Sequence, residues 1–100
     1  MNYYVIVSLD IADSAHLRDK HVDTHRSRLS ELEAEGRLLT AGPLPRTDSY
    51  GREIEGAQGS IIIAAFDSLE DANQWAAADP YRAHGVYYES KVYPYKRVFG

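Results

Sequence analysis

An antiparallel α+β sandwich of order β-α-β-β-α-β, the ferredoxin-like arrangement, is predicted for this chain by three observations. Its 100 residues hold one domain, residues 1–100, and no second. Four runs rich in β-branched and aromatic residues are separated by two helical stretches free of glycine and proline. Two βαβ halves joined by right-handed crossovers then place both helices on one face of the sheet.

Each element has its own signals. Tyr3–Leu9 (YYVIVSL) reads as a strand closed by Asp10, and Asp13 or Ser14 is positioned to cap the helix that follows. That helix runs from Ala15 to Glu35, with Gly36 as its stop. Arg37–Ala41 is a second strand ending at Gly42-Pro43-Leu44-Pro45. The polar, glycine-punctuated segment 46–58 reads as a loop, either a binding lid or a surface excursion. Gly56-Ala57-Gln58-Gly59 reads as a turn within it. Ser60–Phe66 (SIIIAAF) is the strongest strand. Ser68, with Asp71 three residues on, caps a helix over 69–78 whose buried face is Leu69, Ala72, Trp75 and Ala76. Asp79-Pro80 breaks this helix, residues 81–85 form a short helical turn, and residues 86–98 are the last strand. Pro94 lacks a ladder donor and assigns that strand to an edge.

Composition narrows the function classes. With 44% hydrophobic and 26% charged residues the chain can fold into a globule. Its formal charge of −4 disfavours nucleic acid and anionic membranes as partners. The absence of cysteine excludes disulfides, thiolate metal sites and a cysteine nucleophile. The longest apolar run, Ile61–Phe66, is far short of the ~20 residues of a membrane span, and Met1–Val7 lacks the features of a signal peptide. A cytoplasmic protein is expected.

Alternation in the strands points to a partner. Tyr3, Val5, Val7 and Leu9 oppose Tyr4, Ile6 and Ser8, and Ile61, Ile63 and Ala65 oppose Ser60, Ile62, Ala64 and Phe66. Both sheet faces are mostly apolar, whereas a sheet with one wet face alternates cleanly. Two helices cover one face; the other calls for a second copy packed sheet to sheet, or for a ligand. The homodimer is the expected answer.

The first helix carries a histidine where a leucine would serve. At ~100° per residue, with His25 at zero, Leu32 lies about 20° to one side, Leu29 about 40° to the other and Val22 about 60° away. The apolar stripe is therefore centred on an imidazole. A buried imidazole needs partners for both nitrogens, and its ordinary pKa of ~6.5 suits proton transfer. His25 is thus either a candidate acid/base or a satisfied structural residue. His21, one turn earlier, has the i, i+4 spacing of a metal pair, but no third ligand is marked and no metal is expected. His16 and His84 read as surface residues. The eight tyrosines, four of them on the last strand, suit a dimer groove or small-ligand pocket better than base stacking, because the basic-aromatic pattern of RNA-binding sheets is missing. No phosphate loop, dinucleotide fingerprint or nucleophile elbow occurs, and no cofactor is expected.

One resemblance covers nearly the whole chain. His25 with Arg28-Leu29, the run from Glu35 to Pro43 (EGRLLTAGP), Gly59-Ser60, Phe66–Glu70, Trp75-Ala76, Ala78-Asp79-Pro80-Tyr81, Gly85-Val86-Tyr87 and Val92–Lys96 together resemble the YciI (YCII-related) family. The resemblance implies a ferredoxin-like fold in a dimeric α+β barrel and a His–Asp dyad in a cleft, carried here by His25 and Asp79. It also implies kinship by fold with lactone isomerases and ring-degradation enzymes, and with members assigned to dehydrochlorination of chlorinated aromatics. Arg26 and His84 depart from the family's usual residues. Independently, Pro80 disfavours helical φ/ψ at Asp79 and turns that residue out of the helix, although an ordinary Asp-Pro turn reads the same way.

The expectation is a cofactor-free, lyase- or isomerase-type enzyme in which His25 moves a proton and Asp79 fixes its tautomer. Ser60, Gly42, Pro43 and Tyr81 are the expected substrate-binding positions. The alternative is a non-catalytic ligand-binding or accessory domain.

Overall fold

A computed structural model describes every residue from Met1 to Gly100. The elements are β1 (Asn2–Asp10), α1 (Ala15–Ala34), β2 (Leu38–Thr47), β3 (Glu53–Phe66), α2 (Leu69–Ala77), α3 (Pro80–Ala83) and β4 (Tyr87–Tyr95). The strands form an antiparallel sheet in the order β2-β3-β1-β4. This is the predicted βαββαβ fold, with α3 as an added helical turn.

Both long helices cover one face. Leu32 of α1 and Ala72 and Ala76 of α2 pack on Tyr4, Ile6, Ile62, Ala64 and Phe66 in one apolar core. Leu69, expected on the buried face of α2, is instead 42% exposed as the first residue of that helix. That cap is formed as predicted, with Asp71 N–H donating to Ser68 Oγ at 3.1 Å. Pro94 lies in β4, an edge strand, as its missing donor requires.

The segment read as a loop over 46–58 is a two-stranded arm. β2 runs on through Pro43 and Pro45 to Thr47, β3 begins at Glu53, and only 48–52 turn. β2 is an edge strand, so its prolines forfeit no hydrogen bonds to a further neighbour. The Gly56–Gly59 segment likewise lies in β3 and is not a turn. Register shifts between Leu44 and Arg46 mark a bulge opposite it, and Gly56 takes φ +99° there. Gly59 has another reason to be glycine: a Cβ at that position would collide with the Ser8 carbonyl oxygen on β1.

The helix-facing side of the sheet changes character along its length. In β1 the inward residues run Tyr4, Ile6, then Ser8 and Asp10; in β3 they run Phe66, Ala64, Ile62, then Ser60. All six buried polar residues (Ser8, Asp10, Ser14, His25, Ser60 and Asp79) belong to the second half. Leu32 of α1 sits over the apolar half, and Ser14 and Arg18 meet the polar half. The opposite sheet face, carrying Tyr3, Val5, Val7, Ile61, Ile63 and Ala65, is only half-buried and has no helix over it.

Candidate functional site

His25 is the inward-facing residue of α1 between these two regimes, seven residues after Arg18 and seven before Leu32. It is 8% exposed, and Leu32 is the only other buried residue of the helix. The stripe centred on an imidazole is therefore real. Its Nδ1 lies 2.8 Å from Oδ1 of Asp79, which is itself 3% exposed.

Asp79 reaches His25 because of Pro80. With φ −59° and ψ 129° Asp79 has left α2, and its side chain caps α3 by accepting from Tyr81 N–H at 2.9 Å. The Asp-Pro turn and the carboxylate partner are thus one structure. Oδ1 accepts from both Tyr81 N–H and the imidazole, so Nδ1 carries a proton. In the neutral ring Nε2 then holds the lone pair, and it has no protein hydrogen-bond partner. The Tyr81 ring stacks on the imidazole, with centroids 4.0 Å apart and planes 10° from parallel. Edge and face of His25 are both held.

These groups border a cleft of about 210 Å³ between α1, β2 and β3. Ser60, Gly42, Pro43 and Tyr81 line it with His25, so every site residue singled out in the sequence except Asp79 reaches the same hollow; Asp79 lies behind the imidazole. Val22, Leu29, Ala41 and Ile62 give it an apolar wall, and Arg18 and Arg26 add two cations. A larger hollow of about 610 Å³ lies between the start of α1 and the β2–β3 arm, but none of the candidate residues borders it.

Arg18 and Asp10 were not foreseen as part of the site, and Tyr87 only as one of the last-strand tyrosines suited to a dimer groove or small-ligand pocket. Arg18 Nε and Nη2 make a bidentate pair with Asp10 at 2.6 and 2.8 Å, and Nη2 also donates to Gly59 O and Ser60 Oγ, each at 3.1 Å. Burial opposes the Arg18 charge, but the Asp10 hydrogen bonds and carboxylate outweigh it and raise its pKa. Ser14 donates to Asp10 at 2.6 Å and so makes no side-chain cap on α1, although it occupies the N-cap position. Tyr87 OH donates to Ser60 Oγ at 2.8 Å. Burial pushes this phenol well above its ordinary pKa and raises that of Tyr81 as well. The available signal was positional: a charged residue at −7 from His25 shares its helix face, and Ser8 and Asp10 fall on the inward alternation of β1.

His21 turns elsewhere. Its ring stacks on His84 at 3.9 Å, and it does not join His25. Partial burial, then the charges of His84 and Lys20, hold the His21 pKa below its ordinary value. Arg28 lies over the Trp75 ring at 4.2 Å and donates to Trp75 O at 2.8 Å. The arrangement of base, orienting carboxylate, hydroxyl and guanidinium around a small half-apolar cleft is suited to proton transfer on a compact organic molecule.

Residues 2–96 match the YCII-related domain. Over 96 residues the chain is 51% identical to Protein YciI of Escherichia coli O6:H1, covering 96% of this chain and 98% of that protein. It is 45% identical over 97 residues to an uncharacterized protein of Haemophilus influenzae, covering 97% and 99% of the two chains. Among solved structures it is similar to 5-chloro-2-hydroxyhydroquinone dehydrochlorinase of Burkholderia phenoliruptrix AC1100 in complex with 2,5-dihydroxybenzoquinone. The TM-score is 0.79 with 21% identity, over 94% of this chain and 93% of that one.

Proposed function

The chain belongs to the YCII-related domain family, and from that premise we propose that it is a small-molecule enzyme of lyase or isomerase type. His25 Nε2 takes a proton from the substrate, and Asp79 holds the Nδ1 proton in place and stabilises the imidazolium that forms. The carrying observation is the 2.8 Å His25–Asp79 contact at the wall of a cleft. In an elimination, the electron pair of the broken C–H or O–H bond expels a leaving group from the substrate. For 5-chloro-2-hydroxyhydroquinone, an aromatic triol, one hydroxyl proton first moves to the chlorine-bearing carbon to give the keto form. A second hydroxyl proton then passes to His25 Nε2, and chloride leaves to give 2-hydroxy-1,4-benzoquinone. The proton leaves later from the imidazolium to solvent. This step calls for no cofactor.

The structural neighbour's dehydrochlorinase name supports elimination as the reaction class. The cleft volume suits a single ring, and Ser60, Gly42, Pro43 and Tyr81 are its proposed binding residues. No helix is long and apolar enough to cross a membrane. We assign the protein to the cytoplasm as a homodimer, the uncovered sheet faces of two copies of the 1–100 domain packing together.

Chloride release from 5-chloro-2-hydroxyhydroquinone tests the reaction. Wild-type protein is expected to release chloride and His25→Ala to lose roughly 10²–10⁴-fold in rate while remaining folded. Equal release by His25→Ala overturns the role of His25. Binding of 2,5-dihydroxybenzoquinone without turnover favours the second reading, a ligand-binding accessory domain that holds its ligand in the same cleft.

A further inference from the structure

The hydroxyl of Ser60 is committed in a way that specifies the ligand. Arg18 is an obligate donor, and its Nη2 gives one hydrogen bond to Ser60 Oγ. Tyr87 OH gives a second; the phenol is buried and Ser60 is its sole partner, so reversing that bond would leave the phenolic proton with no acceptor. Both acceptor positions of Ser60 Oγ are therefore filled from within the protein. Its own proton has no protein acceptor, although Ser60 is 5% exposed and lines the cleft.

Arg18 repeats the pattern. Its internal bonds run through Nε and Nη2, which leaves Nη1 without a protein partner on a residue that lines the cleft. Arg26 lines the same cleft and forms no ion pair. No carboxylate lines this hollow, in a protein whose net charge is −4. The charged side chains lining the cleft are two guanidinium groups.

We infer that Ser60 and Arg18 form an oxyanion site, and that the substrate of this cleft carries a carbonyl or acidic enol oxygen that bears negative charge during the reaction. The inference rests on the proton-transfer reading and adds the substrate class. A C–H bond next to the carbonyl breaks, the proton passes to His25 Nε2, and the electron pair moves onto the carbonyl oxygen as an enolate. Ser60 O–H and the Arg18 guanidinium donate to that oxygen; the pair then returns to carbon to expel a leaving group or to take up a proton elsewhere. Donors fixed in advance by Tyr87 and Asp10 need no reorganisation as the charge develops.

Binding tests this without turnover. The probes are 2,5-dihydroxybenzoquinone, whose acidic enol and carbonyl oxygens are acceptors, and hydroquinone, a ring of similar size with no carbonyl. Wild-type protein is expected to prefer the quinone by at least tenfold in Kd. Tyr87→Phe and Ser60→Ala/Tyr87→Phe are compared, the double variant sparing the phenol from being orphaned. The preference is expected to fall at least tenfold further in the double variant than in Tyr87→Phe. A wild-type protein with no preference, or a double variant that keeps it, overturns the oxyanion site. Either result leaves the His25 assay standing or falling by itself, so the two failures are distinguishable.

Discussion

Tyr81 holds both members of the His25–Asp79 pair: its ring lies 4.0 Å from the imidazole and 10° from parallel, and its backbone N–H donates to the carboxylate at 2.9 Å. A residue two positions after Asp79 thereby fixes the plane of His25 and the direction of Asp79 together. Its own hydroxyl donates to Arg18 O at 3.2 Å, tying α3 to α1. Tyr81→Leu is expected to keep the fold but free the imidazole plane, lowering turnover about tenfold or more, whereas Tyr81→Phe keeps the stack and most of the rate. Steady-state rates of the two variants check the difference.

Asp79 has two jobs that substitution separates. Asp79→Asn keeps a side-chain oxygen for the Tyr81 N–H but removes the charge opposite the imidazolium. It should cost little stability and roughly 10²-fold or more in rate. Asp79→Ala removes the cap as well and should cost about 1–2 kcal/mol of stability in addition. Urea unfolding alongside the rate assay resolves the two effects.

At Gly59 the pairing of β3 with β1 leaves no room for a Cβ against the Ser8 carbonyl. Gly59→Ala must push the strands apart where the Gly59 carbonyl also accepts from Arg18. A loss of about 1–3 kcal/mol is expected, measured by denaturant midpoint at unchanged slope.

Ile63 pairs with Val5 in the middle of the uncovered sheet face. The wild type is expected to sediment as a dimer, and Ile63→Lys, which places a charge there, as a folded monomer. A variant that remains dimeric contradicts packing through the sheet faces.

Alkaline pH should weaken the fold through its buried phenols. Tyr87 and Tyr81 have pKa values raised by burial, so the folded state binds more protons than the unfolded chain once pH exceeds the ordinary tyrosine value of ~10. Their contribution is intact below that pH and is lost as pH rises above it. Tyr87→Phe should flatten this dependence in denaturant midpoints taken between about pH 8 and pH 11.

The strands, both helices and the imidazole-centred stripe were legible because each is a periodicity, and periodicity survives without knowledge of contacts. Asp79 was legible only in part: Pro80 shows that the residue leaves its helix, but which side chain it meets, 54 positions away, came from the family resemblance. The β2–β3 arm was hidden because Pro43, Pro45 and Gly56 act as chain punctuation everywhere except in an edge strand with a bulge. Arg18 and Asp10 were hidden for a different reason. A terminal Asp reads as a strand stop and an Arg on a helix as a solvated charge, and only their pairing shows Asp10 buried and Arg18 half-buried against it.

Nitrogen NMR of His25, before and after addition of 2,5-dihydroxybenzoquinone, tests the central claim most directly. The account predicts a proton on Nδ1 in the free protein, retained on binding, and a large change at Nε2 alone as ligand arrives. A free protein whose neutral imidazole is protonated at Nε2, or a bound ligand that leaves Nε2 unmoved, would contradict it.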